Sequence, residues 1–175
     1  MAIKNAYPEL PEVKCVITSV PMNDINSYIQ TIPYINEVKR VTQIIVKNET
    51  GNGKSFLCQN GCGQQADGNR LPTKWIPYVV GTFIKKENMT GKERRFVAFK
   101  EWQTTINLLA DRVFNRGLYI GENVDSNYYK GTVKTTEDAA IAYWQEWVVG
   151  ERTQPSKQFI ADFVSMYKQA ANIFK

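Results

Sequence analysis

Histidine is absent from all 175 residues of the chain, and this excludes more chemistry than any other feature of the composition. Imidazole triads, His-ligated zinc and His acid–base pairs are all closed to it. Proton transfer must rest on Asp, Glu, Lys, Tyr or Cys. Cysteine is scarce and odd in number, with Cys15, Cys58 and Cys62 in no framework spacing. Cys58 and Cys62 are near enough to bridge a short loop, but a buried free thiol is the expected state of each. Three thiols without imidazole make a poor zinc site, so no metal and no cofactor is implied. Long apolar runs are also missing. No stretch reaches the length of a membrane span, and MAIKNAYPELPEVK carries Pro and charge where an export signal needs an apolar run. Synthesis and folding in a reducing cytoplasm is the expectation.

What is present suits one packed domain. Hydrophobic residues make up 43% and aromatics 12%, enough for a core without staples. Twenty-two Lys and Arg against seventeen Asp and Glu leave a net charge of +5. That balance suits a polyanion, such as nucleic acid or a cell wall, although many proteins with neutral partners share it. No helix with clustered Arg and Lys stands out as a nucleic-acid reader, so no nucleic-acid partner is expected.

Periodicity predicts mostly helix. A short helix fits from Asn23 to Ile32, stopped by Pro33. In residues 34–48, Ile35, Val38, Val41, Ile44 and Ile45 recur at steps of three and four and form one apolar stripe. Residues 50–80 hold five glycines and two prolines and read as loop with short strands. A helix is predicted from Ala98 to a stop at Gly117, burying Phe99, Trp102, Ile106, Leu109 and Val113. Another, capped by Thr136, runs through Val149 with Ala140, Tyr143, Trp144 and Trp147 inward. The last spans Ser156 to Phe174 and turns Phe159, Ile160, Phe163, Tyr167, Ala170 and Ile173 to the core. The sum is a mainly α single domain over residues 1–175, with an N-terminal arm over 1–22 and a polar, Gly-rich region near its middle.

The segment KNETGNGKS, residues 47–55, admits two readings. Gly53-Lys54-Ser55 matches the end of a phosphate-binding loop, with VTQIIV as the preceding strand. That loop needs a glycine five residues before Gly53, where Asn48 stands, and a helix after Ser55. FLCQNGCGQQADGN follows instead, and without the helix the phosphates lose its N-terminal dipole. No nucleotide is therefore expected. The other reading begins with Glu49, eleven positions after Val38 and four after Ile45. At about 100° per residue both offsets return it to the apolar stripe. A carboxyl held there stays protonated more easily and can act as a general acid. The plain alternative is a Glu at a frayed helix end, out in solvent.

Glu49-Thr50-Gly51 closing a helix, then Asn60-Gly61-Cys62-Gly63-Gln64-Gln65 with Asp67 beyond, resembles the lysozyme-like superfamily. Goose-type lysozymes, lytic transglycosylases and phage peptidoglycan hydrolases belong to that group. GTFIKKENMTGKERRFVAFKEW and the later RGLYIG are similar to its basic hairpin and the aromatic-rich helix that follows. The resemblance covers residues 34–150. Gly63-Gln64-Gln65-Ala66 departs from the transglycosylase Gly-Leu-Met-Gln pattern and leaves the exact family open.

The resemblance implies an α+β lysozyme-like fold with a groove lined by the Gly-rich region. It also implies a monomeric glycosidase that acts on peptidoglycan. Glu49 would be the general acid. Asp67 is the first candidate for a second carboxylate that activates water, ahead of Glu87 and Glu93, and a transglycosylase needs none. Gln64 and Gln65 would hydrogen-bond the glycan, while Trp75, Tyr78 and Tyr119 would stack on sugar faces. Trp102, Trp144 and Trp147 read as core. A wall-cutting chain without an export signal suggests a phage endolysin released through a membrane pore, a virion-associated lysin, or a secreted effector. A non-catalytic phage structural or wall-binding protein on the same fold is the competing expectation.

Overall fold

The computed structural model describes residues 3–87 and 91–175. The first two residues of the arm, and residues 88–90 within the basic run, lie outside the described part. The fold is α+β. In chain order it has β1 (Ile17–Thr18), α1 (Met22–Thr31), α2 (Asn36–Glu49), β2 (Phe56–Leu57), β3 (Val79–Lys86), β4 (Glu93–Phe99) and α3 (Trp102–Arg116). β5 (Asn123–Asp125), β6 (Lys130–Thr132), α4 (Thr136–Tyr143) and α5 (Lys157–Ile173) follow. The strands form three antiparallel pairs, β1–β2, β3–β4 and β5–β6. Among the described residues, no helix is long and apolar enough to cross a membrane.

The chain divides into two compact units, Met1–Asp24 with Val46–Leu108, and Ile25–Ile45 with Leu109–Lys175. In the first, the hairpin β3–β4 runs in register from Thr82 opposite Val97 to Lys86 opposite Glu93, with an irregularity between Val79 and Gly81. Phe83, Phe96 and Ala98 make a small core against which Val13, Cys15, Leu57 and Cys58 pack. The N-terminal arm is fastened rather than loose. The Val13 N–H donates to the Thr82 carbonyl at 2.9 Å and the Thr82 N–H to that of Pro11 at 3.0 Å, while the buried Tyr7 hydroxyl accepts from the Leu71 N–H at 2.8 Å.

In the second unit, Val38, Val41, Ile44 and Ile45 are fully buried, as their spacing predicted, but Ile35 lies before the helix and is exposed. The Thr135 side chain caps α4 in a capping box with Asp138, one residue earlier than expected. Ser156 caps α5. Phe163, Tyr167 and Ala170 of that helix are buried, while Ile173 is exposed at its end.

Three expectations need correction. Ala98 and Phe99 belong to β4 rather than to a helix; both are buried, and a buried strand end and a buried helix start share the same apolar run. The helix through Val149 changes to a π-helix over Trp144–Val149. Its wider turn brings Gln145 and Glu146 into the interior and leaves Trp144 and Trp147 half-buried. Finally, Cys15 and Cys58 form a disulfide across 43 residues, with Cα atoms 5.1 Å apart, and Cys62 keeps a buried thiol. The small core of the first unit holds Cys15 and Cys58 side by side, a proximity that spacing in the chain does not contain.

The bridge joins the arm to the loop after β2. Replacing Cys15 by Ser is expected to lower stability by roughly 2–4 kcal/mol, measured as a shift of the urea midpoint. The loss should vanish when the comparison is made under reducing conditions.

Candidate functional site

Glu49 is the last residue of α2, and the turn behind it is built from its neighbours. The Asn52 N–H donates to the Lys47 carbonyl at 2.8 Å and the Gly51 N–H to that of Asn48 at 3.4 Å. With Gly51 at φ 57°, this is a Schellman stop. Asn52 and Gly53 continue in the left-handed region at φ 61° and 79°, which explains a Gly-Asn-Gly run there. The buried Thr50 hydroxyl donates to the Val46 carbonyl at 2.6 Å and accepts the Gly53 N–H at 2.8 Å. The chain beyond Ser55 enters strand β2, not a helix, so the phosphate-loop geometry is missing.

The helix end therefore points differently from the stripe that leads to it. Residues 41–46 are all buried, whereas Glu49 is exposed. The apolar enclosure expected around its carboxyl is not there, because the helix core ends about one turn earlier.

The Gly-rich loop is ordered by Asn60. Its buried amide donates to the carbonyls of Gln64 at 3.0 Å and Val97 at 2.9 Å, and its Oδ1 accepts the Gln64 N–H at 2.9 Å. A Cβ at Gly61 would lie 2.6 Å from the Phe56 ring and 2.8 Å from Thr50 Cγ2, so only glycine fits. These bonds lay the loop along β4, where Gln65 bridges to Phe96.

Asp67 then meets Arg94. The guanidinium Nε donates to Asp67 Oδ2 at 2.5 Å and an Nη to Oδ1 at 3.1 Å; the same Nη reaches Gln65 Oε1 at 2.9 Å. The hydrogen bonds from Arg94 hold the Asp67 carboxyl below its ordinary range, although burial pushes the other way. An ionised carboxylate with both oxygens engaged is a poor activator of water. Glu87 lies 3.8 Å from the same guanidinium. The loop laid along β4 thus lets Arg94 organise three polar side chains.

The sugar-facing candidates divide by exposure. The Gln64 amide donates to the Gln65 carbonyl at 2.8 Å and so helps shape the loop. Trp75 is only 8% exposed, and its buried Nε1 finds no acceptor among the described residues. Tyr78, 40% exposed, sits 6.2 Å away ring to ring and presents the open aromatic surface of that pair. Tyr119 belongs to the second unit, is 6% exposed, and donates its hydroxyl to Glu122 at 2.9 Å. Burial foremost, then the Glu122 bond, raises its pKa.

One buried carboxylate escaped the sequence reading. Glu146, 6% exposed on the π-helix, accepts from the backbone N–H groups of Tyr128 at 2.5 Å and Tyr129 at 2.6 Å and from the Ser126 hydroxyl at 2.9 Å. Arg116 donates to its carbonyl at 3.1 Å. Burial pushes the Glu146 carboxyl up, but these donors and the Arg116 charge outweigh it, and the net direction is down. No sequence signal marked it, since an α-helical register puts Trp147 inward instead.

Comparison with known proteins adds no identity: no family model, no curated protein and no solved structure matches this chain. The class that fold and site define is an α+β protein with an exposed helix-end carboxylate and an ordered Gln-bearing loop.

Both lowered carboxyls contribute stability that is fully present above the unfolded value near about 4 and is lost as pH falls through the lower folded value. The acid limb of the stability curve should therefore be shallower in Asp67→Asn with Glu146→Gln than in the parent, by urea unfolding at stepped pH. At neutral pH, Glu146→Ala is expected to cost roughly 2–4 kcal/mol by orphaning its donors. Asp67→Asn should cost about 1 kcal/mol, because Arg94 is partly open to solvent screening.

Proposed function

We propose that this protein cleaves the glycan strand of peptidoglycan, with Glu49 as the general acid. What supports the reading is the lysozyme-like pattern of a Gly- and Gln-bearing loop following Glu49. That residue ends a helix buried through residues 41–46, just before a turn locked by Thr50, and it is open to solvent. A polymer can reach a carboxyl so placed, while the rigid stem behind it restricts where the proton goes. The bound strand would itself displace water around Glu49 and favour the protonated form.

Glu49 donates its proton to the bridging oxygen, the C1–O bond breaks, and its electron pair leaves with that oxygen. Asp67 is engaged by Arg94, which favours a route with a single acid. A hydroxyl of the same sugar then closes on C1, returns a proton to Glu49, and yields an anhydro end. Gln65, at the edge of the ordered loop, and the open ring of Tyr78 suit contacts to the glycan. The disulfide fits work outside a reducing cytoplasm. A phage lysin, freed at lysis or carried in the virion, is the setting that the lysozyme-like resemblance suggests.

The exposure of Glu49 also favours a second reading, a wall-binding protein of the same ancestry without catalysis. Turbidity clearing of purified sacculi separates the two. Glu49→Gln is expected to reduce the rate about 10²- to 10⁴-fold with an unchanged circular dichroism spectrum. Released fragments should be one water lighter than hydrolytic products by mass spectrometry. Full activity in Glu49→Gln would overturn the assignment, and sedimentation with sacculi without fragment release would establish the binding reading.

A further inference from the structure

The C-terminal turn of α3 ends on Gly117, and β5 follows closely, so the two frame a cleft wholly within the second unit. It is an open space of about 210 Å³, lined among others by Phe114, Asn115, Arg116, Glu122, Asp125 and Ser126. The turn is rigid: the Leu118 N–H donates to the Val113 carbonyl at 3.0 Å and the Gly117 N–H to that of Phe114 at 3.0 Å, the same Schellman stop that closes α2.

The charges in this cleft oppose one another. Arg116 supplies guanidinium donors, of which one Nη is committed to the Glu146 carbonyl and the rest of its fork remains. Glu122 accepts from the Tyr119 hydroxyl and the Asn123 N–H, both at 2.9 Å, and a carboxylate has further lone-pair sites on each oxygen. The Asn123 N–H and the Tyr119 hydroxyl together hold it below the ordinary range, so it is an acceptor at neutral pH. Asp125 is ion-paired to Lys130. A simple anion would meet two carboxylates here, and a simple cation would meet Arg116. A neutral ligand that both donates and accepts hydrogen bonds meets a partner for each.

An apolar surface stands beside these groups. Phe114 is 47% exposed although it is fixed from behind. It lies parallel to buried Tyr119, 6.1 Å between ring centroids and 5° between planes, and tilted against Tyr34 at 5.6 Å. An exposed large ring held by two others is a rigid apolar face on which a ligand can stack. We propose that this cleft is a saccharide-binding subsite that seats one sugar ring on Phe114, with its hydroxyls shared between Arg116, Asn115 and Glu122. A pyranose fits both halves of the site, since its C–H face is apolar and its rim carries hydroxyls that donate and accept.

The site stands independently of catalysis at Glu49; only the preference for an N-acetylated sugar rests on the peptidoglycan reading. The test is titration of the ¹⁵N-labelled full chain with chitotetraose and, separately, with cellotetraose. Saturable shifts at the amides of Asn115, Gly117, Asn123 and Ser126 are expected with at least one of the two. Phe114→Ala should weaken binding about tenfold, Phe114→Tyr should retain it, and Asn115→Ala, a surface change, should weaken it less. Saturation by cellotetraose without chitotetraose would uphold the cleft while counting against the wall polymer as its source. No saturable shift at these amides with either sugar would overturn the proposal. So would equal affinity in a Phe114→Ala chain whose amides in the first unit are unmoved.

Discussion

Where α2 stops depends on the side chain of Thr50. Its hydroxyl caps the helix end by donating to Val46 and, in the same geometry, collects the N–H of Gly53. The carbonyl of Gly53 is then free to accept the Val20 N–H, and the Thr50 carbonyl accepts that of Ser55. These bonds set the direction of β2, hence its pairing with β1, and hence the meeting of Cys58 with Cys15. Gly61 closes the arrangement, since its missing side chain lets the Phe56 ring and the Thr50 methyl approach the next loop. A small hydroxyl in a buried position thus decides both where Glu49 stands and how the loop after it is hung.

Three carboxylates show how far environment decides role. Glu49 is exposed at a helix end, Asp67 is gripped by a guanidinium, and Glu146 is enclosed by two backbone N–H groups and a serine hydroxyl. The latter two are stabilised as anions and spend their lone pairs on the fold. Asp67 thereby anchors the Gln-bearing loop through Arg94.

The π-helix over Trp144–Val149 has a similar logic. π-turns are rare and tend to persist where a side chain needs a position that an α-helix cannot give. Here the side chain so delivered is Glu146, and its bonds to Tyr128 and Tyr129 order the turn between β5 and β6. Arg116, tied to the carbonyl of the same residue, stands at the edge of the neighbouring cleft. Both observations belong to one network, in which a buried anion organises a surface loop.

Much of this was legible from residues alone, for reasons that are local. The stripe Val38–Val41–Ile44–Ile45 predicts α2 because helical periodicity depends only on spacing. Gly51 and Gly117 predict both helix stops because a left-handed C′ residue favours glycine. The absence of a helix after Ser55 follows from the glycines there. Other features arise from contacts between residues far apart in the chain. Cys15 finds Cys58 across 43 residues; Arg94 finds Asp67 because the Gly-rich loop runs along β4; Phe99 takes a strand rather than a helix because β3 lies beside it. The exposure of Glu49 was also undecided by periodicity, which orients a side chain around a helix axis but does not say where the surrounding core ends. The sequence by itself determined where helices run and stop, since those energies are settled within one turn of chain. Tertiary structure alone decided which charges are neutralised, which thiols are joined and which carboxyl is left facing solvent, since those depend on neighbours that only folding supplies.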